Sequence, residues 1–146
     1  MKQIIPLLLI HALLVSSCNK TSVKTENFED GTLKSEKTYE KTSEGEQLIK
    51  EVTYHPNGKK YMEGSFRDGL REGHWVSWFD NGTLWSEGDF KQGESHGLRS
   101  VYYPNGQLYY QGMYEMGKRK GVWLFYDETG EKIKEVDYDK ESGNGE

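Results

Sequence analysis

A glycine spacing of 24 residues constrains this chain more than any other feature. Gly58, Gly82, Gly106 and Gly130 form one column, and Gly64, Gly88 and Gly112 a second. Gly69, Gly93 and Gly117 form a third, and Gly73, Gly97 and Gly121 a fourth. Aromatics keep the same beat: Tyr54, Trp78, Tyr102 and Tyr126 in one column, Phe66, Phe90, Tyr114 and Tyr138 in another. A fixed period of this length signals a repeat architecture, in which each unit buries its apolar face only against its neighbours. Trp75 to Gly97 and Arg99 to Gly121 are two copies with matching residue classes.

Within each copy, Pro56-Asn57-Gly58, Asp80-Asn81-Gly82 and Pro104-Asn105-Gly106 mark a hairpin turn between aromatic strands. A two-residue type I′ turn would put proline where an N–H must cross the hairpin, which proline lacks. A three-residue loop suits the residues better. Proline takes the second position of a type I turn, and glycine the left-handed position of a following bulge. Phe79 then faces Thr83, Trp78 faces Leu84 and Val76 faces Ser86. This register puts Val76, Trp78, Leu84, Gly88 and Phe90 on one face, expected to be packed, with rings lying over the glycine column. Trp75, Ser77, Phe79, Trp85 and Glu87 fall on the other. A slip of one residue would exchange the faces. A second turn, Lys91 to Gly97 and its equivalents, links successive hairpins. The expected fold is all-β: one elongated antiparallel meander of stacked hairpins.

The repeat domain is expected over 28–138, about five hairpins with the first and last degenerate. Phe28 to Tyr39 aligns with Phe79 to Phe90, so a worn copy begins there without its first strand. Its three extra residues fit a loop at Lys41 to Glu46. Residues 139–146 read as a polar tail. Charged residues at Lys34 to Lys41 and Glu131 to Lys134 are expected to guard the outer edges.

Before the repeats, Ile4 to Val15 is an apolar run behind a basic start. It is too short for a bilayer core of roughly 30 Å, which takes about 20 residues, and has the length of a secretory h-region. Val15-Ser16-Ser17-Cys18 follows, with the chain's 1 cysteine. These residues resemble the lipobox of bacterial lipoproteins. The resemblance implies a signal peptide over 1–17, acylation of Cys18, and a lipid-anchored protein of the bacterial cell envelope, on the periplasmic or surface side. Several acyl chains anchor stably where one does not. Residues 18–27 read as a lipidated tether reaching about 30 Å at roughly 3.3 Å per residue.

Outside the apolar start, Leu, Ile and Val are scarce, so Tyr, Trp and Phe must supply the packed material of a thin sheet. A net charge of −5 argues against nucleic acid, which needs a basic face. His55, His74 and His96 occupy different points of the repeat, without Cys or carboxylates at metal-ligand spacing. Ser65 follows Gly64 without the second glycine of a nucleophile elbow. Fourteen of the 17 glycines belong to turn and strand columns, and no phosphate-binding Gly-rich loop precedes a helix. No enzyme, metal or cofactor is expected.

The pattern G-x-W-x-x-Y, N-G-x-L, G-x-F-x-x-G-x-x-x-G resembles the MORN repeat, most closely its bacterial variant, over about Phe28 to Tyr138. Many such proteins are labelled YwqK-like antitoxin components. The resemblance implies a stacked-hairpin sheet serving as a binding or scaffolding module. Its aromatics exceed what a thin core needs, and Trp and Tyr are typical binding anchors. The candidate binding face is therefore Trp75, Phe79, Trp85, Tyr109 and Trp123, with Tyr110 beside them. A protein or peptide is the expected partner. A cell-wall glycan and an antitoxin or immunity role are the alternatives.

Overall fold

The computed structural model describes residues 21–141. The h-region, the lipobox with Cys18, and residues 142–146 lie outside the described residues. Ten strands form one antiparallel sheet in chain order, the expected open meander. They are β1 (Thr21–Asn27), β2 (Leu33–Thr42), β3 (Gly45–Tyr54), β4 (Lys60–Arg67), β5 (Leu70–Trp78), β6 (Leu84–Lys91), β7 (Glu94–Tyr102), β8 (Leu108–Glu115), β9 (Lys118–Tyr126) and β10 (Lys132–Asp137), followed by a single turn α1 (Tyr138–Glu141). Nine spacings of about 4.8 Å make the sheet roughly 43 Å wide from β1 to β10.

The Asn-Gly turns have the expected form. In the β5–β6 turn, the Gly82 N–H donates to the Phe79 carbonyl at 2.9 Å. The Phe79 N–H donates to the Thr83 carbonyl, also at 2.9 Å. Gly82 has φ +89°, the left-handed position that a side chain disfavours. The same bonds close the turns at His55–Lys59 and Tyr103–Gln107. Asparagine ties these turns together along one rim of the sheet. The Nδ2 groups of Asn57, Asn81 and Asn105 donate to the carbonyls of Asp80, Pro104 and Glu128, one repeat onward, at 2.7, 3.2 and 2.8 Å. At the other rim, two residues suffice. Asp68-Gly69, Gln92-Gly93 and Met116-Gly117 all have positive φ, the signature of type I′.

The register departs from expectation at one residue per repeat. Trp78 does pair with Leu84, but Ser77 pairs with Ser86, Val76 with Glu87 and Trp75 with Gly88. Trp85 is an extra residue in β6, a bulge that reverses the side-chain parity beyond it. The expected faces are corrected accordingly. Trp75, Ser77, Gly88 and Phe90 share one face, here the ring face. Val76, Trp78, Leu84 and Glu87 share the opposite one. Tyr61 and Tyr109 interrupt β4 and β8 in the same way.

Three boundaries also change. Thr21–Asn27, expected as tether, is β1, so the first hairpin has both its strands. The inserted residues do not form a loop at Lys41 to Glu46. They lengthen β2 and β3 to 10 residues each. Lys34 to Lys41 therefore lies within β2, and the sheet's edges are β1 and β10. Asp139 belongs to α1 rather than to a loose tail.

The core lies on the ring face and is thin: Trp75, Val101, Trp123 and Val136 are its buried apolar residues. The Trp75 indole lies on Gly64 and the Trp123 indole on Gly112. Each ring N–H donates to a carbonyl of the strand it covers, Trp75 to Ser65 at 3.1 Å and Trp123 to Met113 at 3.2 Å. Phe66 and Phe90 meet Trp75 edge-on, as Tyr114 and Tyr138 meet Trp123. Such pairs add roughly 0.5–1.5 kcal/mol each beyond the area they bury.

Candidate functional site: an aromatic groove on the ring face

The bulge residues are the exposed aromatics. Trp85 and Tyr109 keep 38% and 41% of their surface in solvent, and Tyr61 is similarly open. A bulge breaks the alternation of in and out, so a large ring can stand on the packed face without entering the core. Each bulge ring leans on the residue that opens the neighbouring Asn-Gly turn: Tyr61 on His55, Trp85 on Phe79, Tyr109 on Tyr103. Tyr61 also stacks on Trp85, with centroids 6.3 Å apart and planes at 23°.

Between Trp85 and Tyr109 the surface drops into a groove of about 570 Å³. Its floor lies in the row Met62, Ser77, Ser86, Val101, Tyr110, Phe125. The groove sits where that row is small, at Ser77, Ser86 and Val101. Larger rings follow at Tyr110 and Phe125 and close it. Tyr103 and Pro104 form the rim, and Arg71 and Arg99 also line it.

The five residues expected to form a binding face all lie on the ring face, but in two roles. Trp85, Tyr109 and the half-buried Phe79 line the groove. Trp75, 4% exposed, and Trp123, 0% exposed, are core. They are not solvent-facing anchors. Their indoles fit over glycines, and that fit buries them. Tyr61, Tyr103, Arg71 and Arg99 complete the groove and were not anticipated. The signal for the two tyrosines was present, since Tyr61 is one period before Trp85 and Tyr103 one period after Phe79.

The opposite face carries acids. Glu36, Val52, Glu63, Val76, Glu87, Ser100, Gln111, Leu124 and Glu135 form one continuous cross-strand row. Tyr54 donates its hydroxyl to Glu36, and Tyr102 donates to Glu87 at 2.8 Å. The Glu36 carboxylate, aided by burial, pushes the Tyr54 phenol up to about 12. Burial, then Glu87, raises that of Tyr102. The Lys60 ammonium, 2.6 Å from Glu63, holds that carboxyl below its usual range against the opposing effect of burial. His74 lies 3.0 Å from Asp89 and 3.6 Å from Glu87. Among the described residues, no group of three or more His, Cys, Asp or Glu side chains could hold a metal ion.

The family model described as MORN repeat variant matches four segments, 47–68, 71–92, 95–116 and 119–140. The chain belongs to the MORN repeat variant family. Each matched segment of this MORN repeat chain holds an odd-numbered strand and the next one, from β3–β4 to β9–β10. The β1–β2 hairpin, outside the matched segments, continues the same sheet. Among solved structures, the chain is similar to a protein with unknown function from Bacteroides fragilis, at 13% identity, covering 82% of this chain and 93% of that one, with a TM-score of 0.27. No curated protein matches.

Proposed function

We propose that this MORN repeat chain is a non-catalytic scaffold of the bacterial cell envelope, holding a protein or peptide partner in the groove on its ring face. The observation that supports this is the ordered set of exposed rings at Tyr61, Trp85 and Tyr109, placed by bulges rather than left over from packing. Exposed Trp and Tyr around a concavity are the usual anchors of a binding surface. The anchor of the scaffold is Cys18, acylated after signal cleavage. Because β1 starts at Thr21, the link from Cys18 spans about 10 Å at most, at roughly 3.3 Å per residue. The sheet therefore stands close to the lipid and extends from there. Crosslinking pull-down from membranes tests the reading. A specific protein should be recovered with the wild-type chain and lost with Trp85→Ala and Tyr109→Ala. Recovery unchanged in both variants would sink it.

The Tyr61–Trp85 stack also suits a flat sugar ring, which makes a cell-wall glycan the second reading. Quenching of Trp fluorescence by peptidoglycan fragments, without any captured protein, would favour it.

A further inference from the structure

Arg99 holds the position that a tryptophan fills in the repeats on either side. Trp75, Arg99 and Trp123 are successive members of one column. All three cover the glycine of the preceding strand. For Arg99 it is the stem that does so: a Cβ on Gly88 would meet Arg99 Cγ at 3.4 Å. A guanidinium thus reaches the ring face where an indole stands elsewhere. The thinner side chain also leaves open the space that a third indole would occupy, beside Ser86 and Val101.

Arg71 approaches the same groove from the preceding repeat. Its guanidinium carbon is 4.3 Å from the centroid of Trp75 and 5.3 Å from that of Phe90. Met62 Sδ accepts a long 3.9 Å contact from it. Neither arginine forms an ion pair with a carboxylate among the described residues. The groove's lining holds no Asp or Glu, in a chain whose net charge is −5. Glu36, Glu63, Glu87 and Glu135 lie instead on the opposite face, in one cross-strand row. Glu51, in the row of Trp75 and Arg99 toward β1, is already met by Lys37 at 3.5 Å. Two guanidinium groups of low hydration, that of Arg71 held on the Trp75 and Phe90 rings and both without a counter-charge, present forked donors suited to carboxylates.

We propose that the groove takes an acidic peptide segment, with a carboxylate on Arg99 and Arg71 and a neighbouring apolar side chain between Trp85 and Tyr109. This rests on the reading of the ring face as a peptide-binding surface, and adds to it the charge of the peptide. The pairing supplies charge-assisted hydrogen bonds, and the rings supply apolar contact on either side. The partner is thereby distinguished from the basic segments that the protein's overall charge would attract.

The test is a fluorescence-anisotropy titration of the full mature chain with a labelled peptide of alternating Glu and Phe, against the same peptide with Gln for Glu. The Glu peptide should bind at least roughly tenfold more tightly, one charge-assisted bond's worth. Arg99→Gln should erase that difference. Arg99→Trp should restore the indole column, keep the fold and abolish binding of both peptides. Equal affinity of the two peptides for the wild-type chain, with binding still lost in Trp85→Ala, overturns the charge inference and leaves the aromatic reading standing. No binding of either peptide overturns the inference. So does tighter binding of an oligogalacturonate, which would make the occupant an acidic glycan. The peptide comparison is made on the wild-type chain, so it decides the question even if a variant fails to fold.

Discussion

Trp75 lies flat on Gly64, so closely that a Cβ added to the glycine would be 2.6 Å from the indole Cγ and nearer still to its fused-ring carbons. The contact joins β4 to β5 and lets a thin sheet bury a large ring. Trp123 repeats it on Gly112.

Gly64→Ala and Gly112→Ala should therefore be costly, at the upper end of overpacking changes, about 3 kcal/mol. Gly88→Ala should cost distinctly less, because the nearest atoms there are 3.4 Å away and the Arg99 stem can shift. Urea midpoints of the three variants provide the comparison. Equal losses at all three glycines would count against the ring-on-glycine account of the core.

The turn ladder leads to a pair of opposite outcomes. Asn81→Ala removes the bond to Pro104 and the acceptor for the Thr83 N–H, and should cost about 1 kcal/mol. Asp80→Pro places proline where Pro56 and Pro104 already stand in the sister turns, and should stabilise by about 0.4–1 kcal/mol by restricting the unfolded chain. Thermal unfolding of the two variants checks both signs. A destabilised Asp80→Pro would show that the β5–β6 turn differs from its sisters.

Tyr54 should be a late-titrating tyrosine. Its phenol is raised to about 12 from about 10, so the folded state keeps a proton that the unfolded chain has released. This contribution to stability is complete below about pH 10 and is lost as pH rises through 12. Tyrosinate absorbance followed by pH, in the wild type and in Glu36→Gln, measures it. Removing the carboxylate should bring the titration down. An unchanged titration in Glu36→Gln would mean that the hydrogen bond to Glu36 is not the cause.

Mass spectrometry of the mature N-terminus tests the anchor. An acylated chain beginning at Cys18 is expected, and Cys18→Ala should abolish the modification and release the protein from membranes. A wild-type chain that keeps residues 1–17, or is unmodified, would remove the envelope from the proposed function.

The repeat period, the meander and the Asn-Gly turns were legible because each rests on a residue with a local conformational demand. Proline forbids type I′, and glycine marks the left-handed positions. The face assignment was not legible, because it depends on one inserted residue per repeat. Trp85 carries no local mark of a bulge, yet it reverses every side chain after it. Nor was β1 legible. Thr21–Asn27 is polar apart from Val23, and Val23 itself is exposed, so the strand is held by its ladder to β2 rather than by a buried face. For the site, the aromatic excess singled out five rings that the structure places on one face of the sheet. It could not divide the rings into core and groove, because that division depends on which rings have a glycine beneath them.

The most direct measurement is a scan with a photo-crosslinking residue, placed singly at Tyr61, Trp85 and Tyr109 on the ring face and at Val76, Leu124 and Glu135 on the opposite face, followed by irradiation of intact membranes. One partner adduct, formed from the ring-face positions and absent from the other three, is the expected result. An adduct formed only from the opposite face, or equally from both, would contradict the assignment of binding to the groove.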